Sequence, residues 1–132
     1  MRILFIDDDP FFSDNLIRVF KWEGWEVVYA RSPAEGLHEL EQGAKVFDII
    51  LLDIMMLPDH ASARERLKKG YRTGLTLLGD LQESPYRNIP VILITARADL
   101  EPQDYEGKAA LCLRKNQPSS DIIEAIRKLC QP

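Results

Sequence analysis

The sequence predicts a doubly wound α/β fold, a five-stranded parallel sheet between two layers of helices. Short apolar runs, long enough for strands, alternate with stretches of helical periodicity about five times along the chain. Those runs are almost uninterrupted by polar residues, as expected of strands covered on both faces, and that is the mark of a parallel sheet with helices on each side.

Ile3 to Ile6 form the first run, which stops at Asp7-Asp8-Asp9. Asp9 suits a helix cap, with Pro10 at the first helical position where a missing N–H costs nothing. Phe12, Leu16, Val19 and Phe20 then recur at helical spacing, and Gly24 marks the end. Trp25 to Ala30 reads as a second strand. Trp25 is expected in the core, whereas Trp22 either packs against its own helix, the favoured reading, or stands partly exposed as a docking patch.

Ser32-Pro33-Ala34-Glu35 has the composition of a capping box, and the helix it opens carries Leu37 and Leu40 and closes near Gly43. Val46 to Leu52 is a third strand, broken only by Asp48 and ending at Asp53. Leu75, Leu78 and Leu81 share one helical face. Pro90 to Thr95 and Ala110 to Leu113 are the fourth and fifth strands. A last helix, Pro118 to Cys130, is capped by Ser119 or Ser120 and turns Ile122, Ile123, Ile126 and Leu129 inward.

Composition narrows the function. The chain has 132 residues, enough for one domain, and is 45% hydrophobic and 29% charged. A net charge of −4 gives no global basic field for nucleic acid. No apolar stretch is long enough to span a bilayer, and the N-terminus lacks a signal-peptide pattern. Cys112 and Cys130 have neither a disulfide framework nor a metal-ligand spacing, so two reduced thiols in a cytoplasmic protein are expected. A single domain over residues 1–132 without an internal repeat is the expected organisation.

In sheets of this kind ligands sit at the carboxyl ends of the strands. Asp7 and Asp8 end the first strand, Asp53 the third and Thr95 the fourth, and Lys115 follows the fifth. Two carboxylates about 5 Å apart at an effective dielectric near 20 repel by roughly 3 kcal/mol. A cation resolves that repulsion, and few carboxylates beside phosphate oxygens and water suit Mg²⁺ better than Ca²⁺. An aspartate beside such an ion is a candidate phosphoryl acceptor, with Thr95 and Lys115 contacting the remaining phosphoryl oxygens.

With these residues in view, the sequence resembles the receiver domains of two-component response regulators. ILFIDDDP matches the opening strand and acidic pair, FDIILLDIMM the acceptor strand, IPVILITA the strand ending in Thr and a small residue, and LRK the lysine. The resemblance implies a flavodoxin-like doubly wound five-stranded parallel sheet and a stand-alone, non-enzymatic signalling domain. It implies phosphorylation of Asp53 by a histidine kinase or a histidine phosphotransfer protein. Asp7, Asp8, Asp53 and the backbone carbonyl of Met55 would hold Mg²⁺, and Thr95 and Lys115 would bind the phosphoryl group. Ala96 would leave room for access. A downstream protein target is expected, without direct nucleic-acid binding.

Three departures from the family pattern stand out. An insertion over about 59–72, rich in Arg64, Arg66, Lys68 and Lys69, follows the acceptor strand. It reads as a solvated surface turn or, more sharply, as a basic lid with a short helix from Asp59 to Gly70. The segment between Thr95 and Lys115 has room for only about two helical turns. Cys112 stands where the family often has a switching aromatic, and Asn116 replaces the usual Pro, so output is expected through another surface.

Two other functions fit parts of the pattern. In a haloacid-dehalogenase-type phosphohydrolase Asp7 would be the nucleophile and Asp9 the acid–base, but Phe11 is out of place and Asp53 would have no role. A receiver-like module that is never phosphorylated is the other, favoured by the altered output surface and opposed by the retained Asp8, Asp53, Thr95 and Lys115.

Overall fold

The computed structural model describes residues 1–43, 47–56, 73–96 and 101–130. Its elements are β1 (Arg2–Ile6), α1 (Pro10–Trp22), β2 (Glu26–Ala30), α2 (Pro33–Gly43) and β3 (Ile49–Asp53). They continue with α3 (Thr73–Gln82), β4 (Val91–Thr95), a 3-10 turn (Pro102–Asp104), β5 (Leu111–Arg114) and α4 (Ser119–Cys130). The strands form one parallel sheet in the order β2-β1-β3-β4-β5. Strand order reverses between β1 and β3, so the carboxyl ends of these two strands flank the switch point.

The alternation of side chains along each strand divides the core in two. Leu4, Ile6, Ile50, Leu52 and Leu93 face α2 and α3, while Ile3, Phe5, Ile49, Leu51, Ile92 and Ile94 face α1 and α4. Each such side chain contributes about 1.5–3 kcal/mol when fully removed from water. β3 and β4 are buried along their whole length, as their unbroken apolar sequence requires. Among the described residues, no helix is long and apolar enough to cross a membrane.

Local signals act largely as their chemistry dictates. The Asp9 carboxylate accepts from the N–H groups of Phe11 and Phe12 at 3.1 and 3.3 Å, capping α1. Gly24 takes a positive φ of 81° at the turn that follows α1. Ser32 Oγ accepts from Glu35 N, but Glu35 reaches back to Arg31 N rather than to Ser32, so the box is displaced by one residue.

Boundaries differ in several places. Phe47 and Asp48 precede β3 instead of belonging to it, and the Asp48 carboxylate accepts from Arg2 N at 2.7 Å, ahead of the first residue of β3. Val46 lies outside the described residues. β5 begins and ends one residue later than expected, because Ala110 N bonds Val91 O ahead of the ladder that starts at Leu111. Ser119 and Ser120 lie in the first turn of α4, whose Asp121 and Ile122 N–H groups both reach Pro118 O. Trp25 is buried, as expected, but Trp22 is almost fully exposed. It falls on the face of α1 opposite Leu16 and Phe20, so it has no neighbouring apolar surface to meet. Between β4 and β5 the described backbone holds only the 3-10 turn and the bends that follow it. The insertion expected over 59–72 lies wholly outside the described residues, and so does the lid reading.

Candidate functional site

The residues at the switch point are brought together by backbone geometry. β1 ends in Ile6 and delivers Asp7, which is fully buried, and Asp8, which is half-buried. Asp53 is the last residue of β3, buried and paired across the sheet with Ile94. Carboxylate oxygens of Asp7, Asp8 and Asp53 lie within 4.8 Å of one another. Thr95 closes β4, also buried, and its carbonyl accepts from Lys115 N at 2.8 Å. That bond fixes the start of the lysine side chain at the same rim.

Lys115 Nζ lies 2.9 Å from Asp7 Oδ2 and 3.5 Å from Asp53 Oδ2. One ammonium thus bridges two buried carboxylates. It also stands 4.8 Å from the centre of the Phe12 ring, whose face favours a cation. The other oxygens are held by backbone. Asp7 Oδ1 accepts from Asp9 N at 2.7 Å, and Asp53 Oδ1 accepts from Met55 N at 3.1 Å. The Tyr29 hydroxyl, on β2, donates to the Asp7 carbonyl at 2.7 Å.

Charge in this cluster is uncomfortable. Burial, with Asp7 nearby adding to it, pushes the Asp53 carboxyl up from 3.8 to about 7, against the pull of Lys115. Burial raises Asp7 as well, again opposed by Lys115. Burial disfavours the charge on Lys115, but Asp53 and Asp7 together outweigh it and raise the lysine. A single ammonium does not neutralise three acids. An all-oxygen set of this kind, short of positive charge, fits a hard divalent cation.

Of the residues assigned to the site from the sequence, Asp7, Asp8 and Asp53 converge here, with Lys115 beside them and Thr95 and Met55 on the adjoining backbone. Met55 follows Asp53 by two residues, with its N–H already on the Asp53 carboxylate. Ala96 is exposed just beyond Thr95. Asp9 faces the α1 backbone as its cap, which leaves it poorly placed for acid–base work.

Three contributors were missed. Phe12 was assigned to the core from its helical spacing, which says nothing of a lysine arriving from β5. Tyr29 carries a signal, being a polar tip among the apolar residues that end its strand. Gly74 is the third: a Cβ there would come 2.2 Å from the Asp53 carbonyl oxygen. Its N–H donates to Ile54 O at 2.9 Å, so the start of α3 is pressed onto the end of the acceptor strand.

Comparison with known proteins follows the same lines. The family described as the response regulator receiver domain matches residues 3–127. No curated protein matches the chain. Among solved structures, a CheY-like response regulator receiver domain protein from Methanospirillum hungatei is 27% identical, with a TM-score of 0.76 over 98% of this chain and 92% of that one. The response regulator TrrA from Thermotoga maritima, solved in complex with Mg²⁺-BeF, is 26% identical, with a TM-score of 0.71 over 97% of each chain. The BeF3-activated N-terminal receiver domain of Klebsiella pneumoniae RstA is 22% identical and shares the fold, with a TM-score of 0.77 over the whole of both chains.

Proposed function

The chain belongs to the response regulator receiver domain family, a family of phospho-accepting signalling domains, and we propose that Asp53 is the residue of this chain that accepts the phosphoryl group. The observation that carries the reading is the convergence of the Asp7, Asp8 and Asp53 carboxylates within 4.8 Å at the switch point. The Lys115 ammonium between Asp7 and Asp53 completes that arrangement.

Each side chain has a distinct task. Met55 N–H pins Asp53 Oδ1, which leaves Oδ2 as the oxygen presented toward Lys115 and an incoming phosphorus. The donor is a phosphohistidine on a histidine kinase or a histidine phosphotransfer protein. The Asp53 oxygen forms a bond to phosphorus as the phosphorus–nitrogen bond breaks, and the imidazole leaves with the electron pair. Lys115 then pairs with a phosphoryl oxygen, and the Thr95 hydroxyl donates to another.

Asp7, Asp8, Asp53 and the Met55 carbonyl would hold Mg²⁺, which supplies charge neutralisation for the acidic cluster and the transferring group. The raised Asp53 carboxyl supports this reading, because a group titrating at about 7 is partly protonated at neutral pH and a weak nucleophile until a cation lowers it. We place the protein in the cytoplasm, passing its signal to a downstream protein by direct contact.

The test is incubation with Mg²⁺ and acetyl phosphate, followed by intact-mass and peptide mass spectrometry. One phosphoryl adduct is expected on Asp53, stable in acid and lost in base, absent without Mg²⁺ and absent in Asp53→Asn. An adduct on Asp7, or steady hydrolysis of phosphate esters, would point to a phosphohydrolase instead.

A further inference from the structure

Two large apolar side chains stand almost fully in solvent, Phe11 at 85% and Trp22 at 86% exposure, and both belong to α1. They are eleven residues apart, close to three helical turns, so they point the same way about 16 Å from each other. Between them, Asn15 and Arg18 complete a stripe at spacings of four, three and four, and all four residues are exposed. Asp14 and Lys21 run along one flank of that stripe, also exposed. Isolated exposed aromatics are ordinary, but two on a single helical stripe with a regular repeat form a seam.

We infer that this face of α1 pairs with the same face of a second copy of the chain, the two helices running antiparallel about a two-fold axis. A two-fold contact must be self-complementary, and this stripe is. With the helices antiparallel and centred between Asn15 and Arg18, Phe11 of each copy lies against Trp22 of the other. Asn15 meets Arg18, twice. On an antiparallel pair a flank meets the same flank, so Asp14 of each copy faces Lys21 of its partner.

The flank is acidic toward its beginning, at Asp14, and basic toward its end, at Lys21, and the stripe itself carries Arg18 in its second half. A parallel arrangement would set Arg18 on Arg18 and turn Asp14 and Lys21 away from each other, so charge selects the antiparallel one. Phe and Trp each bury about 150–250 Å². Four such rings approach the roughly 1,000 Å² that a specific interface needs, before the flanking side chains are counted.

Sedimentation velocity on the full chain over a concentration series tests this. A monomer–dimer equilibrium is expected. Trp22→Ser and Phe11→Ser should each weaken it by about tenfold or more, as loss of a central aromatic anchor does. At concentrations well below the parental dimer midpoint, thermal melting of both variants should stay at the parental value, since neither side chain is packed in the monomer.

The charge pair then distinguishes this geometry from any other dimer. Asp14→Lys and Lys21→Asp should each weaken association, and the two together should restore it to within about threefold of the parent. A chain that stays monomeric up to about 1 mM overturns the inference. So does a dimer whose midpoint ignores Trp22→Ser, and so does a double variant no better than the single ones. In those cases the stripe serves a different partner, or none.

Discussion

The two ends of the carboxyl rim are built to different standards. β3 delivers Asp53 from a strand in which all five residues are buried, with β1 on one side and β4 on the other. β5 delivers Lys115 from the sheet edge, where Leu111 is exposed and the next three residues are only half-buried. Yet the two side chains meet at 3.5 Å. The difference shows where precision is needed. The acceptor is fixed by its strand, whereas the lysine is fixed at its tip, by Asp7, Asp53 and the Phe12 ring, so its own strand can be loose. Substitutions near β3 should therefore cost much more than substitutions on β5.

The largest effect is expected at Gly74. Any Cβ there would approach the Asp53 carbonyl oxygen to 2.2 Å and Ile54 Cα to 2.6 Å, and backbone cannot swing aside as a side chain can. Gly74→Ala should cost more than about 3 kcal/mol, or shift the acceptor strand enough to abolish phosphorylation. Gly79, on the same helix, is the control, because nothing lies within 4 Å of a Cβ built there. Gly79→Ala should stabilise by roughly 0.5–1 kcal/mol through helix propensity. Chemical denaturation of the pair measures the contrast, and equal effects would dissolve it.

Next in size is the pH dependence of the metal-free protein. The Asp53 carboxyl is raised in the folded state, so its contribution to stability is complete below its ordinary 3.8 and is lost as pH rises through about 7. Stability in chelator should therefore fall across that window, by on the order of 2 kcal/mol once partial compensation by Lys115 is allowed for. Asp53→Asn should flatten the fall, and Mg²⁺ should reverse it. Melting curves at several pH values, with and without the ion, give the sign directly.

These contrasts also explain what could be read from the sequence. Strand runs of one character, with acids at the ends of the first and third, Thr at the fourth and Lys after the fifth, were enough to locate Asp7, Asp8, Asp53, Thr95 and Lys115, because a parallel sheet forces all strand ends to one side. Strand edges shifted by one to three residues, most clearly at β3 and β5, where hydrogen bonds from Asp48 and Ala110 precede the ladder. The remaining misses involve partners distant in sequence. Gly74 meets Asp53 across the insertion, Phe12 meets Lys115 across most of the chain, and no local pattern encodes either contact. Trp22 was misread because helical spacing gives the solvent face only once the core face is known, and Phe20 and Leu16 take that face.

Tyr29 tests whether fixing the acidic pair matters as much as fixing the acceptor. Its hydroxyl donates to the Asp7 carbonyl at 2.7 Å from a strand that otherwise only packs. Tyr29→Phe removes that bond while keeping the ring against Phe5, so a loss of about 1 kcal/mol is expected. A several-fold weaker dependence on Mg²⁺ in the acetyl phosphate reaction should accompany it if Asp7 is a supporting group of the metal site. Unchanged Mg²⁺ dependence would mean that Asp7 is held well enough by Asp9 N–H and Lys115 alone.

The smallest effect belongs to the loose end of the rim. Leu111 is exposed at the start of β5, and its loss leaves the lysine tip contacts untouched. Leu111→Ser should change stability by less than about 0.5 kcal/mol and leave the rate of Asp53 phosphorylation as it was. A drop in that rate without a drop in stability would be informative in the opposite direction. It would mean that the position of β5 does reach the Lys115 ammonium, and that edge and centre are more tightly coupled than their burial implies.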